Sequence, residues 1–400
     1  MALSNVVSMG CGDERTDPRT GSGAVASVDL DAVAHNVRVL QQFAGDAAVM
    51  AVLKADGYNH GAVEVAHAAV AAGVQEIGVT TIGEALELRA AGIGVPVLAW
   101  LHRTDSDFDA AIAAQVGIGV STAAQLDAVV AAARRVGRAA DLSLKIDTGL
   151  NRNGVSEADL DVVLDATAAA VAEGTVDLVG MFSHLACADE PEHPANDAQA
   201  QRLRDAVGRA TRRGTPPAVV HLSNSAATLT RPDLRFDMVR PGIALYGLSP
   251  VPQLGKFGLQ PVMTLSAQVA NMKKVSKGES VSYGYTWTAQ ADTVVALIAL
   301  GYADGVVRSL GGRFEVTIAG RRFPSVGRVC MDQFVVDLGG DGSGVAVGDE
   351  ALLFGPGGKG EAHAQDWADA LDTISYEVVT GIRGRVRRQF VGARSGEATE

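Results

Sequence analysis

The sequence predicts an α/β barrel of eight parallel strands, followed by a second and mostly antiparallel β domain. From about residue 25 to 255, short runs rich in Val, Ile and Leu alternate with Ala-rich amphipathic stretches. This alternation is typical of parallel strands that are joined by crossover helices. After Pro250-Val-Pro252 the pattern changes to Val- and Thr-rich alternating segments joined by Gly and Asp turns, which is typical of antiparallel sheet.

The first domain contains eight predicted strands, and eight strands close a barrel of about 200 to 250 residues. The strands are predicted near 47–53, 75–80, 95–100, 117–120, 141–146, 177–183, 218–221 and 239–245. The helices between them include 61–72, 84–91, 122–136, 158–172 and 197–211. A doubly wound open sheet would give the same alternation, because the pattern alone does not show closure.

The second domain is predicted to be a sheet with one helix. Its strands are expected at 262–270, 280–287, 292–299, 314–320, 333–338 and 351–354, and its helix near 364–371. The predicted domain boundaries are 25–255 for the barrel and 256–390 for the β domain. Residues 1–24 lack periodicity and are expected to be a mobile tail, and residues 391–400 a flexible C-terminus.

The composition excludes several classes of partner. The 400 residues carry a formal net charge of −12, so no basic surface is expected to attract nucleic acid or an anionic membrane. The three cysteines are too scattered for a disulfide framework or a CxxC metal site, and no metal is expected. Neither an apolar run long enough for a membrane span nor a secretory signal is found, so a cytoplasmic location is expected.

Cationic or titratable residues stand at the carboxyl ends of five predicted barrel strands: Lys54, Lys145, His184, His221 and Arg240. Active sites of α/β barrels lie at this face, so the five residues predict one site. The chain has only seven lysines against 27 arginines, and Lys54 and Lys145 are the only two lysines before residue 256. Their retention suggests chemistry that an arginine does not perform.

A lysine at a barrel rim is suited to Schiff-base formation with a carbonyl substrate or with pyridoxal phosphate (PLP). Its surroundings favour the cofactor, since Ser223-Asn224-Ser225 and Pro241-Gly242-Ile243 follow late strands and offer hydroxyl and N–H groups to a phosphate. Arg240 is placed to face a pyridine nitrogen. Tyrosines near such a site, among them Tyr58 and Tyr283, are candidate proton carriers.

Nine sequence blocks resemble, in the same order, those of the alanine racemase family. They are VLKADGYNHG (52–61), KIDTGLNRNG (145–154), MFSHLACAD (181–189), HLSNSAA (221–227), VRPGIALYG (239–247), VSYGYTW (281–287), GYADG (301–305), VGRVCMDQ (326–333) and TISYE (373–377). The resemblance implies a barrel with PLP at its mouth, a C-terminal β domain and a homodimer with shared active sites. It also implies that the first strand, near 25–29, pairs with the β domain.

The family's activity implies that the chain interconverts L- and D-alanine with two bases on opposite faces of the substrate. Lys54 matches the lysine that binds PLP and acts as the base on the D side. Tyr283, contributed by the other subunit, matches the base on the L side. Arg240 matches the residue facing the pyridine nitrogen; because arginine keeps its proton, that nitrogen would stay unprotonated and side reactions such as transamination would be discouraged.

The resemblance assigns roles to further residues. The remaining cofactor positions are matched by Tyr58, Asn224, Ser225, Gly242, Ile243 and Tyr376 around the phosphate, Arg152 near the phenolic oxygen, and His184 and His221 beside the ring. Substrate binding is assigned to Arg152, and to Tyr302 and the backbone N–H of Met331 from the partner subunit. Lys145 matches a lysine that is carbamylated in many members and positions Arg152. The substrate access corridor is assigned to Asp189, Arg308, Arg328 and Arg388.

The chain departs from the family pattern at three positions, and three alternatives compete with the alanine assignment. Asn59 stands where many members have glycine, and Arg387 and Phe390 stand where Pro and Tyr are usual; only local packing or stability is expected to change. The alternatives are a racemase of another small amino acid such as serine, a PLP-dependent decarboxylase, and a non-catalytic PLP-binding protein. Arg240 disfavours the decarboxylase, and the full β domain disfavours the carrier.

Overall fold

The amino-terminal domain is a closed barrel of eight parallel strands. The computed structural model describes residues 23–392. Strand β1 (Val25–Asp29) belongs to the second domain's sheet, and the barrel strands are β2 (Ala48–Val52), β3 (Glu76–Val79), β4 (Val97–Ala99), β5 (Gly117–Val120), β6 (Ala140–Lys145), β7 (Val176–Phe182), β8 (Val219–His221) and β9 (Met238–Val239). The first and last barrel strands pair in parallel, with Ala48 opposite Met238. This closure confirms the barrel prediction and excludes a doubly wound open sheet.

Helices surround the barrel, and polar side chains fix where several of them begin. Asp29 accepts hydrogen bonds from the N–H groups of Asp31 and Ala32, and Thr81 forms a capping box with Glu84. The helices are α1 (Leu30–Ala44), α2 (Ala62–Ala71), α3 (Ile82–Ala90), α4 (Phe108–Ala113), α5 (Ala123–Val136), α6 (Leu160–Glu173), α7 (Pro194–Arg212) and α8 (Ser225–Thr230). Among the described residues, no helix is both long and apolar enough to cross a membrane.

The second domain is built on an eight-stranded sheet in the order β13-β16-β15-β14-β17-β10-β1-β18. Its strands are β10 (Met263–Val275), β11 (Ser280–Val281), β12 (Trp287–Thr288), β13 (Thr293–Ile298), β14 (Glu315–Ile318), β15 (Arg321–Val326), β16 (Phe334–Gly339), β17 (Glu350–Phe354) and β18 (Arg387–Val391); β11 and β12 pair separately. Strand β1 pairs antiparallel with β10 and parallel with β18. The expected pairing of the first strand with the β domain is therefore confirmed.

Two predicted strands are shorter than expected. The segment predicted as a strand over 239–245 keeps strand geometry only at Met238–Val239 and then forms a 3₁₀ turn at Ile243–Tyr246. Pro241 lacks an N–H, and the N–H groups of Gly242 and Ala244 instead reach the Ser225 hydroxyl. The segment predicted over 280–287 is divided by a turn in which Ser282 and Gly284 have positive φ.

Three elements of the β domain were not predicted: β15, β18 and the helix α10 (Ser375–Thr380), which follows the expected helix α9 (Ala364–Leu371). Both strands carry two arginines and expose three of their residues, so their sequences lack a clear apolar run. The predicted tails lie mostly outside residues 23–392, but their inner ends are ordered. Ala24 is buried and accepts a hydrogen bond from the N–H of Arg387, and Val391 is the last residue of β18.

A buried polar group holds the barrel helices to the chain that enters the β domain. The Asn36 side chain on α1 is fully buried and donates to the carbonyls of Leu245 and Gln260, while its oxygen accepts from the N–H of Gln260. Beside it, Gly247 has a φ of +78°, and a Cβ there would lie 1.7 Å from the Gln260 carbonyl oxygen. The junction therefore requires both the Asn36 amide and a residue without a side chain at position 247.

We predict that Gly247→Ala destabilises the protein far more than Gly92→Ala. Both glycines have positive φ, but a Cβ at Gly92 meets nothing within 4 Å. Gly92→Ala should cost about 1–2 kcal/mol of unfolding free energy for the backbone conformation alone, and Gly247→Ala more than about 4 kcal/mol because its Cβ overlaps a carbonyl. Urea unfolding of both variants checks this; equal losses would contradict the proposed close packing at the junction.

Candidate active site

A cavity of about 180 Å³ opens at the carboxyl ends of the barrel strands. It is lined by Val52, Lys54, Tyr58, Trp100, Lys145, Arg152, Phe182, His184, Asn224, Ser225, Arg240, Gly242, Ile243 and Tyr376. Most of the predicted cofactor residues therefore meet in one place. All but Tyr376 come from the barrel, and Tyr376 comes from α10 of the β domain.

Lys54 follows β2 and begins an unusual turn. The five residues that follow it, 55–59, all have positive φ between 51° and 66°, so the chain makes one turn in the left-handed region. Such a conformation costs roughly 1–2 kcal/mol for each residue with a side chain, so neighbouring contacts must hold it. One is the Glu84 carboxylate, which accepts from the N–H of Ala55 at 2.8 Å. We name residues 54–59 the Lys54 turn.

Four cationic side chains, Lys54, Lys145, Arg152 and Arg240, line this cavity, and no carboxylate lines it. Burial and then the nearby Arg152 lower the pKa of Lys54 below its ordinary value. Burial, Arg240 and Arg152 lower the pKa of Lys145 to about 8. Within residues 23–392, none of the four forms a salt bridge. The cavity is therefore suited to an anionic ligand.

Arg240 is held from behind by a buried network. It donates to His221 Nδ1 at 2.8 Å and to the Ser183 carbonyl at 2.6 Å. Burial and then Arg240 lower the pKa of His221 well below 6.5, so His221 is a neutral acceptor, and its ring stacks on Phe182 at 4.9 Å. Burial lowers the pKa of Arg240 to about 9, which leaves it protonated at pH 7. Its Nε–H has no acceptor in the described part of the chain.

Hydrogen-bond donors gather at one corner of the cavity. The Ser225 hydroxyl accepts from the N–H of Gly242 at 2.8 Å and of Ala244 at 3.3 Å, so its own hydrogen is left to donate elsewhere. A Cβ at Gly242 would lie 2.2 Å from the Tyr58 hydroxyl oxygen, so glycine is what brings that hydroxyl close. The rings of Tyr58 and Tyr376 lie 6.1 Å apart. We name Tyr58, Ser225, Gly242, Ile243 and Tyr376 the donor corner.

The two tyrosines of the donor corner remain donors over the physiological pH range. Burial and then the neighbouring Tyr376 raise the pKa of Tyr58, and burial and then Asp189 raise the pKa of Tyr376. Neither hydroxyl has a hydrogen-bond partner among residues 23–392. Asn224 lies next to this corner, where its side-chain oxygen accepts from the N–H of Ala227 at 3.1 Å and starts α8. The donors therefore face the cavity without an acceptor.

His184 also lines the cavity, where it offers an imidazole rather than a hydroxyl. Burial, then Arg240 and Arg152, lower the pKa of His184 to about 3, so the ring is neutral at pH 7. Asn196 of α7 has a structural role instead, since its side chain donates to backbone carbonyls of the preceding loop.

No three His, Cys, Asp or Glu side chains of the described ranges gather as a metal site would require.

Several predicted residues do not reach this cavity within one chain. Tyr283, Tyr302 and Met331 lie on the surface of the β domain, with 71%, 37% and 53% of their area exposed. Asp189, Arg308 and Arg328 are exposed as well, and Arg328 lies beside the Tyr283 turn, where its guanidinium is 3.0 Å from the position of a Cβ on Gly284.

Arg388 contacts the Lys54 turn within the chain. It lies on β18, is half-buried, and donates from Nε to the carbonyl of Asn59 at 2.8 Å. The resemblance of the sequence block did not predict this contact.

Three lining residues were not predicted: Val52, Trp100 and Phe182. Trp100 is the last residue of the strand predicted at 95–100, so its place at a strand end was a signal for a lining role. Its ring packs so closely on Gly78 that a Cβ there would lie 2.4 Å away. Phe182 belongs to the block around His184, and its ring lies beneath Lys145 and Arg240.

Two family models match the chain: "Alanine racemase, N-terminal domain" over residues 28–250, and "Alanine racemase, C-terminal domain" over residues 262–390. The chain belongs to the alanine racemase family. It is 58% identical over 371 residues to the alanine racemase of Mycolicibacterium vanbaalenii, covering 93% of this chain and 95% of the relative. The family assignment made from the nine sequence blocks is thereby confirmed.

Solved structures of alanine racemases have the same fold. The enzyme from Streptomyces coelicolor A3(2) superposes with a TM-score of 0.91 at 46% identity, covering 94% of this chain and 100% of that one. The enzyme from D-cycloserine-producing Streptomyces lavendulae gives a TM-score of 0.90 at 47% identity, covering 92% and 97%. The combination of an α/β barrel and an antiparallel β domain is therefore that of the family.

We predict that Gly242→Ala weakens binding of inorganic phosphate to the protein stripped of bound small molecules. The added Cβ would displace the Tyr58 hydroxyl from the donor corner, so affinity should fall at least tenfold, or about 1.4 kcal/mol. Isothermal titration calorimetry measures this. Gly94→Ala is the matched control, because a Cβ there meets nothing within 4 Å. Equal phosphate affinity in both variants would show that the donor corner does not hold phosphate.

Proposed function

We propose that the chain interconverts L- and D-alanine, with PLP bound in the cavity at the barrel mouth. The observation that carries the proposal is the combination of four cations without a salt bridge and a corner where the hydroxyls of Tyr58, Ser225 and Tyr376 have no acceptor among the described residues. PLP is an aldehyde with a phosphate and a phenolic oxygen, so it needs a primary amine, phosphate donors and cationic neighbours together. The residues fit such a group. The proposed boundaries remain 25–255 for the barrel and 256–390 for the β domain.

Each side chain has a proposed part in holding the cofactor. The donor corner, with Asn224 beside it, would hold the phosphate through hydroxyl and N–H groups. Arg152 would lie near the phenolic oxygen, and the Nε–H of Arg240 near the ring nitrogen. Lys54 would bond the aldehyde carbon, and His184 and His221 would flank the ring. When bound, PLP supplies an electron sink that lowers the cost of removing the proton from Cα.

The chain's own residues would move that proton. Lys54 is proposed as the base on the D face of Cα; its lowered pKa places more of the amine in the neutral form that accepts a proton. Tyr283 is proposed as the base on the L face, contributed by a second copy. Racemisation needs a proton to leave one face and return to the other, and one lysine and one tyrosine on opposite faces meet that need.

A homodimer with shared active sites is proposed because this chain displays residues that its own cavity does not use. Tyr283 lies in a turn anchored by the Ser282 hydroxyl, which donates to the Arg328 carbonyl at 2.7 Å. Tyr302 and the backbone N–H of Met331 would bind the substrate carboxylate in the partner's site together with Arg152. Asp189, Arg308, Arg328 and Arg388 remain the proposed corridor residues.

Arg240 would limit side reactions. It stays protonated, its Nη1 donates to His221 and its Nη2 donates to the carbonyls of Ser183 and Leu222, so its Nε–H is the donor proposed to face the ring nitrogen. A ring nitrogen that faces a permanent donor stays unprotonated, and the charge left on Cα is then less delocalised. Return of the proton to Cα would therefore be favoured over side reactions such as transamination.

We predict that Tyr283→Phe retains PLP but loses racemisation, while Lys54→Ala loses both. Removing one base should cost about 10²–10⁴ in rate. Chiral chromatography of alanine, in both directions, measures turnover, and visible absorbance measures bound PLP. Tyr285→Phe is the matched control, since Tyr285 lies in the same turn and is 74% exposed.

Two results would contradict the proposal, one from this alanine assay and one from the same assay with serine as the substrate. Normal racemisation by Tyr283→Phe in both directions would remove Tyr283 as a base. A clear preference of the wild type for serine over alanine would replace the substrate assignment, because the side chain is selected by pocket volume rather than by the bases.

We further propose that Lys145 is carbamylated and that the new negative charge positions Arg152. Only the neutral amine reacts with carbon dioxide, and a pKa of about 8 makes much more of Lys145 neutral near pH 8 than an ordinary lysine. In ¹³C-bicarbonate, a carbamate NMR signal should rise with pH, reach about half its full height near pH 8 and level off above about pH 9. Lys145→Arg keeps the charge and should lack the signal; an unchanged signal in that variant would refute the assignment.

A further inference from the structure

Asn59 joins the Lys54 turn to the β domain. Its side-chain amide donates to the carbonyl of Thr380 at 2.9 Å and to the carbonyl of Ile382. Thr380 is the last residue of α10, the helix that carries Tyr376, and its hydroxyl donates to the Tyr376 carbonyl at 2.6 Å. The Asn59 side chain therefore forms hydrogen bonds at the end of α10, the helix that supplies Tyr376 to the donor corner.

Arg388 on β18 forms hydrogen bonds to the same turn. Its guanidinium donates to the Asn59 side-chain oxygen as well as to the Asn59 backbone carbonyl, and lies 3.4 Å from the Asp56 carboxylate. Asp56 in turn accepts from the N–H of Ala62, the first residue of α2. Arg388 therefore contacts the turn at its backbone, at Asn59 and at Asp56.

The two tyrosines of the donor corner come from different domains. Tyr58 belongs to the Lys54 turn and Tyr376 to α10, so their separation depends on how the domains are joined at this point. Phe390, also on β18, packs against Gly61, where a Cβ would lie 2.7 Å from its ring. Residues of β18 thus contact both the Lys54 turn, through Arg388, and the residue Gly61 shortly after it, through Phe390.

We infer that Asn59 and Arg388 are positioning residues that set the spacing of the Tyr58 and Tyr376 hydroxyls and thereby the retention of a bound phosphate group. The inference rests on the proposed binding of PLP in this cavity. Asn59 does not line the cavity, so it acts through the tyrosines. Asparagine suits the position because it adopts a φ of +66° more readily than most residues and offers both donors and an acceptor.

Asn59→Gly tests the inference, because glycine keeps the positive φ and removes only the side-chain hydrogen bonds. PLP should leave this variant at least tenfold faster than the wild type during dialysis, as followed by visible absorbance and by PLP in the dialysate. Binding of pyridoxal, which lacks the phosphate, should be nearly unchanged. Arg388→Gln should show the same selective loss and provides a second test if Asn59→Gly fails to fold.

Asn36→Ala is the control for general loosening, since Asn36 joins the domains away from the donor corner. It should lower thermal stability without selecting between PLP and pyridoxal. Wild-type retention of PLP by both turn variants, or equal losses of PLP and pyridoxal affinity, would overturn the inference. A wild type that binds no PLP would instead refute the proposed function, so the two failures are distinguishable.

Discussion

Unneutralised positive charge at the barrel mouth is the constraint on which the site depends. Lys54, Lys145, Arg152 and Arg240 line one cavity without a carboxylate. Bringing cations together out of water is unfavourable, and the lowered pKa values of both lysines are its direct consequence. A bound anion relieves that cost, so these charges favour a phosphate-bearing ligand and make a lysine amine reactive.

Contacts between the two domains support the part of the chain that carries these charges. Strand β1 precedes the barrel strands in sequence but pairs between β10 and β18 in the sheet of the second domain. That pairing fixes β18 in the β domain, and Arg388 on β18 binds the turn that follows Lys54. A left-handed turn of five residues is unfavourable by itself, and contacts from both domains offset its cost.

Local pattern was sufficient to predict eight βα units and most of the rim residues, but it did not show that the sheet closes into a barrel. Each βα unit repeats the same apolar alternation, and barrel closure then brings strand ends such as Lys145 and Arg240 to one face. Contacts between distant segments left no such local mark. Strand β15 and strand β18 are rich in arginine, and the role of Arg388 depends on a turn 329 residues away in sequence. Trp100 was predictable from its place at a strand end, but the predicted rim consisted of titratable and cationic residues and therefore did not include an indole.

The central claim is that Lys54 is the amine that holds an aldehyde cofactor inside this ring of cations. Borohydride reduction of the PLP-loaded enzyme makes a lysine–cofactor bond permanent, and peptide mass mapping then locates it. Six other lysines, Lys145 among them, compete as sites in the same experiment. We predict a single pyridoxyl group on the peptide containing Lys54. A pyridoxyl group on any other lysine, or on none, would contradict the claim.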